Sequence, residues 1–119
     1  MDKKYDLEER TAKFGEDVID FVKILNRTDI NHPLVSQLVR SSGSIGANYV
    51  EADGAVSKKD FANKIGLCRK ESKETKHWLR LLARANDDKK EHCRGLYREA
   101  HELSLIFSSI IIRMKGNDK

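Results

Sequence analysis

Small and apolar residues recur along this chain with alternating steps of four and three, in four separate segments. Residues three and four apart share one face of a helix, so each segment is expected to form a helix with a single buried stripe. The stripes are Leu7, Thr11, Phe14, Val18, Phe21, Leu25; Leu34, Leu38, Ser41, Ile45, Asn48, Ala52, Ala55; Phe61, Ile65, Cys68, Ser72, Thr75, Leu79, Leu82; and Cys93, Leu96, Ala100, Leu103, Phe107, Ile110, Met114. Short connections between the segments predict an all-α, up-and-down antiparallel four-helix bundle.

The ends of the four helices are indicated by capping and helix-stopping residues. Asn31 before Pro33 favours a start of the second helix, Ser57 with Asp60 resembles a capping box, and Gly116 is typical of a helix stop. A chain of 119 residues matches one domain with one modest core. We expect one domain over residues 1–119, with helices at about residues 6–27, 33–55, 58–86 and 89–115.

The composition indicates a helical protein of the cytoplasm. Charged residues make up 35% of the chain and hydrophobic residues 39%, and no apolar run approaches the roughly 20 residues of a membrane span. The N-terminal residues do not resemble a signal peptide. Cys68 and Cys93 lack a CxxC spacing, so we expect two buried, reduced thiols.

Several catalytic and ligand-binding motifs are incomplete in this chain. A di-iron bundle needs two Glu-x-x-His motifs, but only Glu74 and His77 form one, and both lie off the core stripe. The GxxG of Gly43 and Gly46 lacks the strands of a nucleic-acid-binding KH domain and the ending of a phosphate loop, so tight helix packing explains it better. We expect no enzymatic activity, no metal and no cofactor.

The third segment carries a second periodic face, which we call the seam: Leu67, Glu71, Glu74, Trp78 and Leu81. An aromatic face beyond the core stripe is typical of contact with another subunit. In the alternative interpretation, Trp78 and Leu81 widen the core while Glu71 and Glu74 pair with Lys70 or Arg98 in solvent. If the seam is buried, its carboxylates need a partner such as Arg40, because an unpaired buried charge is unfavourable.

A third face of the same segment, which we call the ridge, consists of Arg69, Lys73, Lys76, Arg80 and Arg84. Residues 58–85 contain nine Lys or Arg against three Asp or Glu, whereas residues 1–33 contain six against eight. Such a local excess of positive charge favours contact with a polyanion such as nucleic acid. The alternative is a solvated face, since no aromatic residue on the ridge is available to stack on bases.

Three blocks of the sequence resemble a known family. They are Arg40-Ser41-Ser42-Gly43-Ser44-Ile45-Gly46-Ala47-Asn48, Ser57-Lys58-Lys59-Asp60-Phe61 and Glu71-Ser72-Lys73-Glu74-Thr75-Lys76-His77-Trp78-Leu79. They are similar to the bacterial four-helix-bundle proteins first named for intervening sequences of large-subunit ribosomal RNA genes. The Ala-Glu-Gly common after the Asn appears here as Val50-Glu51-Ala52, which indicates a variant branch.

The resemblance implies a ring-like homopentamer with a basic surface that meets RNA or DNA. A related group assists the reverse transcriptases of diversity-generating retroelements, so the resemblance also implies a polymerase as a protein partner. We expect a non-enzymatic oligomeric adaptor that binds structured nucleic acid through the ridge. The alternative function is a scaffold ring that binds a protein partner and never contacts nucleic acid.

Overall fold

The computed structural model describes residues 6–117, which form four helices and no strand. The helices are α1 (Leu7–Lys23), α2 (Asn31–Asp53), α3 (Lys58–Ala85) and α4 (Lys90–Asn117), with a short 3₁₀ turn at Asp87–Lys89. Consecutive helices are antiparallel and pack side by side, and α1 packs mainly on α2 with sparser contact to α4. The predicted all-α four-helix bundle is confirmed.

The core contains the four predicted stripes. All six residues of the first stripe are buried, and so are the middle residues of the other three stripes apart from Asn48, which is half-buried. Residues at the ends of the stripes, such as Phe61 and Ile110, are half-buried and pack against this core. The heptad-like spacing therefore predicted the inward face of every helix.

Two helix starts show the caps that satisfy their first backbone N–H groups. Asp6 accepts a hydrogen bond from the N–H of Glu9 (3.2 Å), and Ser57 Oγ accepts one from the N–H of Asp60 (3.0 Å). The predicted cap at Ser57 is confirmed. Each side-chain oxygen replaces a partner that the first turn of a helix cannot supply.

The first helix ends at Lys23, earlier than the predicted residue 27. The N–H groups of Ile24 and Leu25 donate to the carbonyls of Phe21 and Val22 (both 3.2 Å), which tightens the chain into a turn. Leu25 is buried by this turn rather than by a further turn of α-helix. Local periodicity does not distinguish these two ways of burying the same side chain.

Asn31 does not cap α2, because it is the first residue of that helix. The Asn31 N–H donates to Thr28 Oγ1 (2.9 Å), while its side-chain amide exchanges hydrogen bonds with the amide of Asn86 (3.0 and 2.9 Å). This Asn31–Asn86 pair joins the first residue of α2 to the α3–α4 connection. The long-range pairing explains why a residue that resembles a cap is used differently.

Gly116 does not end α4, since the helix continues to Asn117. A stopping glycine takes a left-handed conformation, and no glycine within residues 6–117 has a positive φ. The small-residue block of α2 behaves as predicted at Gly46, where a Cβ would lie 3.3 Å from Thr11 Oγ1 of α1. Gly43 faces no such neighbour, so close helix packing explains only one of the two glycines.

Candidate functional site

The seam and the ridge lie on opposite sides of the core-facing stripe of α3. Cys68, Thr75 and Leu79 point into the bundle, and Thr75 Oγ1 donates to Ser41 Oγ of α2 (2.9 Å). Because α2 packs beside one edge of this stripe and α4 beside the other, the seam borders α2 and the ridge borders α4. The two faces therefore have different neighbours within the same bundle.

On the seam, the carboxylates of Glu71 and Glu74 share one cation from α2. Arg40 Nη1 lies 3.4 Å from Glu71 Oε2, and Arg40 Nη2 donates to Glu74 Oε2. This is the pairing with Arg40 that the sequence predicted, and it occurs within one chain instead of the solvent pairs with Lys70 or Arg98. Two carboxylates therefore face one cation at this point of the seam, a formal excess of one negative charge.

The two carboxyl groups of the seam have opposite pKa shifts. Burial raises the pKa of Glu71, and the neighbouring Glu74 raises it further, against the opposing effect of Arg40. Burial alone would raise the pKa of Glu74, but the contacts with Glu71 and Arg40 outweigh burial and lower it. Glu74 is therefore the better ionised partner of Arg40.

The apolar members of the seam are only partly covered. Trp78 packs against the core and its ring meets the His77 ring edge-on at 5.0 Å between centroids, while Leu67 is 37% exposed. Glu71 Oε1 and Trp78 Nε1 are buried, yet neither has a hydrogen-bond partner among residues 6–117. Trp78 widens the core, as one interpretation predicts. The seam nevertheless keeps two buried polar atoms whose hydrogen-bonding capacity is unused within residues 6–117.

On the ridge, Lys73, Arg80 and Arg84 are exposed, whereas Arg69 and Lys76 are half-buried. Among the described residues, none of the five cations forms an ion pair with a carboxylate. Where Lys76 meets α4, its Nζ donates to His101 Nδ1 (3.1 Å) and not to a carboxylate. The ridge is thus a continuous row of uncompensated positive charge.

Sequence reasoning missed the contribution of α4 to this basic surface. Lys76 Nζ lies 5.7 Å from the centroid of the Tyr97 ring, and Lys90 and Arg94 line a groove together with Arg80 and Arg84. Tyr97 thus places an aromatic ring beside a ridge that has none of its own. Periodicity along α3 gave no signal for this contact, because Tyr97 belongs to the neighbouring helix.

The two cysteine thiols of the core are buried and protonated. Burial raises the pKa of Cys68 to about 12 and that of Cys93 to about 11, so both free thiols stay protonated and poorly nucleophilic near neutral pH. Within residues 6–117, no cluster of three or more His, Cys, Asp or Glu side chains is arranged to hold a metal ion. The same stretch contains no helix both long and apolar enough to cross a bilayer.

Comparison with known proteins agrees with this architecture. Residues 3–109 match the family model described as 23S rRNA-intervening sequence protein. A crystal structure of a protein with unknown function from the S23 ribosomal protein family of Bacteroides thetaiotaomicron VPI-5482 is similar, with 31% sequence identity and a TM-score of 0.76. The similarity covers 87% of this chain and 96% of that one. No curated protein matches the sequence.

Proposed function

This chain belongs to the 23S rRNA-intervening sequence protein family, and from that premise we propose that it is a non-enzymatic, oligomeric adaptor of the cytoplasm that binds structured nucleic acid. The ridge is the proposed contact surface. The observation that carries the proposal is that five neighbouring cations have no carboxylate partner among residues 6–117. By contrast, Arg10 and Arg40 each bind carboxylates of a neighbouring helix.

The energetics of the ridge favour a polyanionic ligand. Like charges three or four residues apart on a helix destabilise it by a few tenths of a kcal/mol per pair, and Arg69 to Arg84 contains four successive pairs of this kind. Phosphates would neutralise this repulsion and release the counterions condensed on the nucleic acid. At 1.5 Å per residue the ridge extends about 22 Å, a length that spans several phosphates.

We also propose that copies of the chain associate through the seam, and the family resemblance indicates a homopentamer. Buried polar atoms are nearly always hydrogen-bonded, and the two unpartnered ones among residues 6–117, Glu71 Oε1 and Trp78 Nε1, both belong to the seam. A neighbouring subunit would supply their partners and cover Leu67. Repetition of the ridge around such an assembly would multiply its contacts with one nucleic acid, increasing its avidity.

A protein-binding scaffold is the second candidate function, and one observation favours it. A groove of about 420 Å³ lies between α1 and α2, with the partly exposed apolar side chains of Ile19, Val39 and Val50 along it. The reverse transcriptase implied by the family resemblance is a protein partner of the kind such a scaffold would take. This function needs no contribution from the ridge, so a ridge variant separates the two candidates.

The decisive experiment measures binding of the wild-type protein to RNA and DNA over a series of salt concentrations. Charge reversal of Lys73, Lys76 and Arg80 to Glu should weaken binding to all sequences and reduce the slope of log affinity against log salt by about two to three units. The matched control reverses Lys13, Lys23 and Lys115, which changes the net charge equally away from the ridge. If the wild-type protein binds neither RNA nor DNA at low salt, the adaptor function is wrong and the scaffold function remains. If the control variant weakens binding as much as the ridge variant does, the nucleic-acid site is not the ridge.

A further inference from the structure

The groove between α3 and α4 combines positive charge with an apolar floor. Its volume is about 640 Å³, within the range of about 300 to 1,000 Å³ typical of small-ligand sites. Leu79 and Cys93, both buried, contribute to the floor, while Arg80, Arg84, Lys90 and Arg94 surround it. We call this feature the α3–α4 groove.

The four cations of the α3–α4 groove are available to an anion. Arg80 and Arg84 have no carboxylate partner among residues 6–117. Lys90 pairs with Asp87 (3.4 Å) and Arg94 with Glu91, but both carboxylates are highly exposed. Exposed ion pairs contribute under about 1 kcal/mol, so a phosphate can replace these partners readily.

Tyr97 adds the feature that distinguishes this groove from the rest of the ridge. Its side chain lines the groove and is 41% exposed, and Lys76, which approaches its ring, is not among the lining residues. An exposed aromatic ring beside cations is the arrangement with which proteins stack unpaired bases and hold the adjoining phosphates. In a duplex the faces of the bases are already stacked on one another and are not available to a ring.

We infer that the α3–α4 groove binds an unpaired nucleotide, with the base stacked on Tyr97 and the adjoining phosphates held by Arg80 and Arg84. This inference rests on the proposed function and narrows its ligand from any structured nucleic acid to one with a single-stranded segment or loop. The ridge contacts the backbone regardless of sequence, whereas the groove selects for bases that are not paired.

The test compares a single-stranded oligouridine with a blunt RNA duplex of equal total charge, using fluorescence anisotropy. Tyr97→Ala should lower the affinity for the single strand about fivefold or more, because stacking on one aromatic ring contributes substantially to binding each base. Affinity for the duplex should stay within about twofold of the wild type. Tyr97→Phe keeps the ring and should behave as the wild type with both ligands.

A second variant, a fluorescent base and thermal unfolding distinguish the loss of base stacking from a loss of folding. Tyr97→Leu keeps the apolar volume without an aromatic face and should show the same selective loss as Tyr97→Ala. A 2-aminopurine base within the single strand should lose fluorescence on stacking with the wild type and Tyr97→Phe, but not with Tyr97→Leu. Thermal unfolding of each variant checks that the bundle is intact.

The outcomes separate the groove from the ridge. Equal weakening of both ligands by Tyr97→Leu, or no weakening of either, overturns the inference while the proposed function stands. Wild-type protein that binds neither RNA at low salt overturns both. Wild-type binding to both RNAs, with selective loss of the single strand in the ring-deleting variants, supports the groove as a site for unpaired nucleotides.

Discussion

The two outward faces of α3 differ in how their charges are satisfied. On the seam, one arginine of α2 binds two carboxylates, whereas the ridge has no carboxylate partner within residues 6–117. The difference arises from the neighbouring helices: α2 presents Arg40 to the seam, but α4 presents Tyr97 and His101 to the ridge. The residues of a neighbouring helix thus decide whether the charges of a helix face are paired within the bundle.

Two acidic residues of α4 also face away from the ridge. Glu99 of α4 binds Arg10 of α1 through two hydrogen bonds of 2.8 Å, and Glu102 adds a further attraction that helps to raise the pKa of Arg10. Glu99 and Glu102 are thus directed to α1, whereas Lys90, Arg94 and Tyr97 of the same helix adjoin the ridge. One helix thereby closes the bundle on one side and extends the positive surface on the other.

The largest expected effect is a loss of stability when the hydrophobic core is disrupted, because the seam and the ridge both belong to a helix packed on that core. Phe107 is fully buried beside Tyr49, with 6.4 Å between ring centroids, so Phe107→Ala should lower the free energy of unfolding by about 3 to 5 kcal/mol. Chemical denaturation followed by circular dichroism measures this loss. Leu105→Ala, at an exposed position of the same helix, is the control and should change it by less than about 1 kcal/mol. Equal effects of the two variants would contradict the shared core.

The next effect tests whether the seam contacts another subunit. Trp78→Ala should reduce the molar mass measured by light scattering and leave helicity largely intact, because a central tryptophan of an interface commonly contributes about 2 kcal/mol or more to association. Arg84→Ala, on the ridge of the same helix, is the control and should leave the mass unchanged. Loss of folding in the Trp78 variant, or an unchanged mass, would assign Trp78 to the core alone.

The smallest expected effect concerns the two carboxylates of the seam, Glu71 and Glu74. The pKa of Glu74 is lowered in the fold, so its stabilising contribution is present above its unfolded pKa of about 4.3 and disappears as the pH falls. Glu74→Gln should therefore lower stability at pH 7 by less than about 1 kcal/mol, with no difference in strong acid.

Glu71 pairs with the same arginine, but its pKa is shifted in the opposite direction. Because its pKa is raised, its contribution is greatest below the unfolded pKa and is lost as the pH rises through the folded pKa. Glu71→Gln should therefore be at least as stable as the wild type at neutral pH. Denaturation curves of both variants at neutral and acidic pH measure these signs. A larger loss of stability at neutral pH for Glu71→Gln than for Glu74→Gln would reverse the assignment.

The parts of the candidate site that lie on α3 alone could be predicted from the sequence. The memberships of the seam and the ridge follow from the spacing of residues along α3, and the need for a partner pointed to Arg40 before the structure placed it there. The α3–α4 groove was not predicted, because its basic rim and its aromatic ring come from two helices. Their juxtaposition depends on the way α4 packs against α3.

The helical class, the inward face of each helix and the cap at Ser57 follow from the sequence alone, because these features depend on residues within a few positions of one another. Three features emerge only from the packed bundle: α1 ends at Lys23, Asn31 pairs with Asn86 instead of capping α2, and Tyr97 lies beside Lys76. Each of these features depends on contacts that form only when the helices and their connections pack together, and periodicity within one helix carries no information about the side chains of its neighbours.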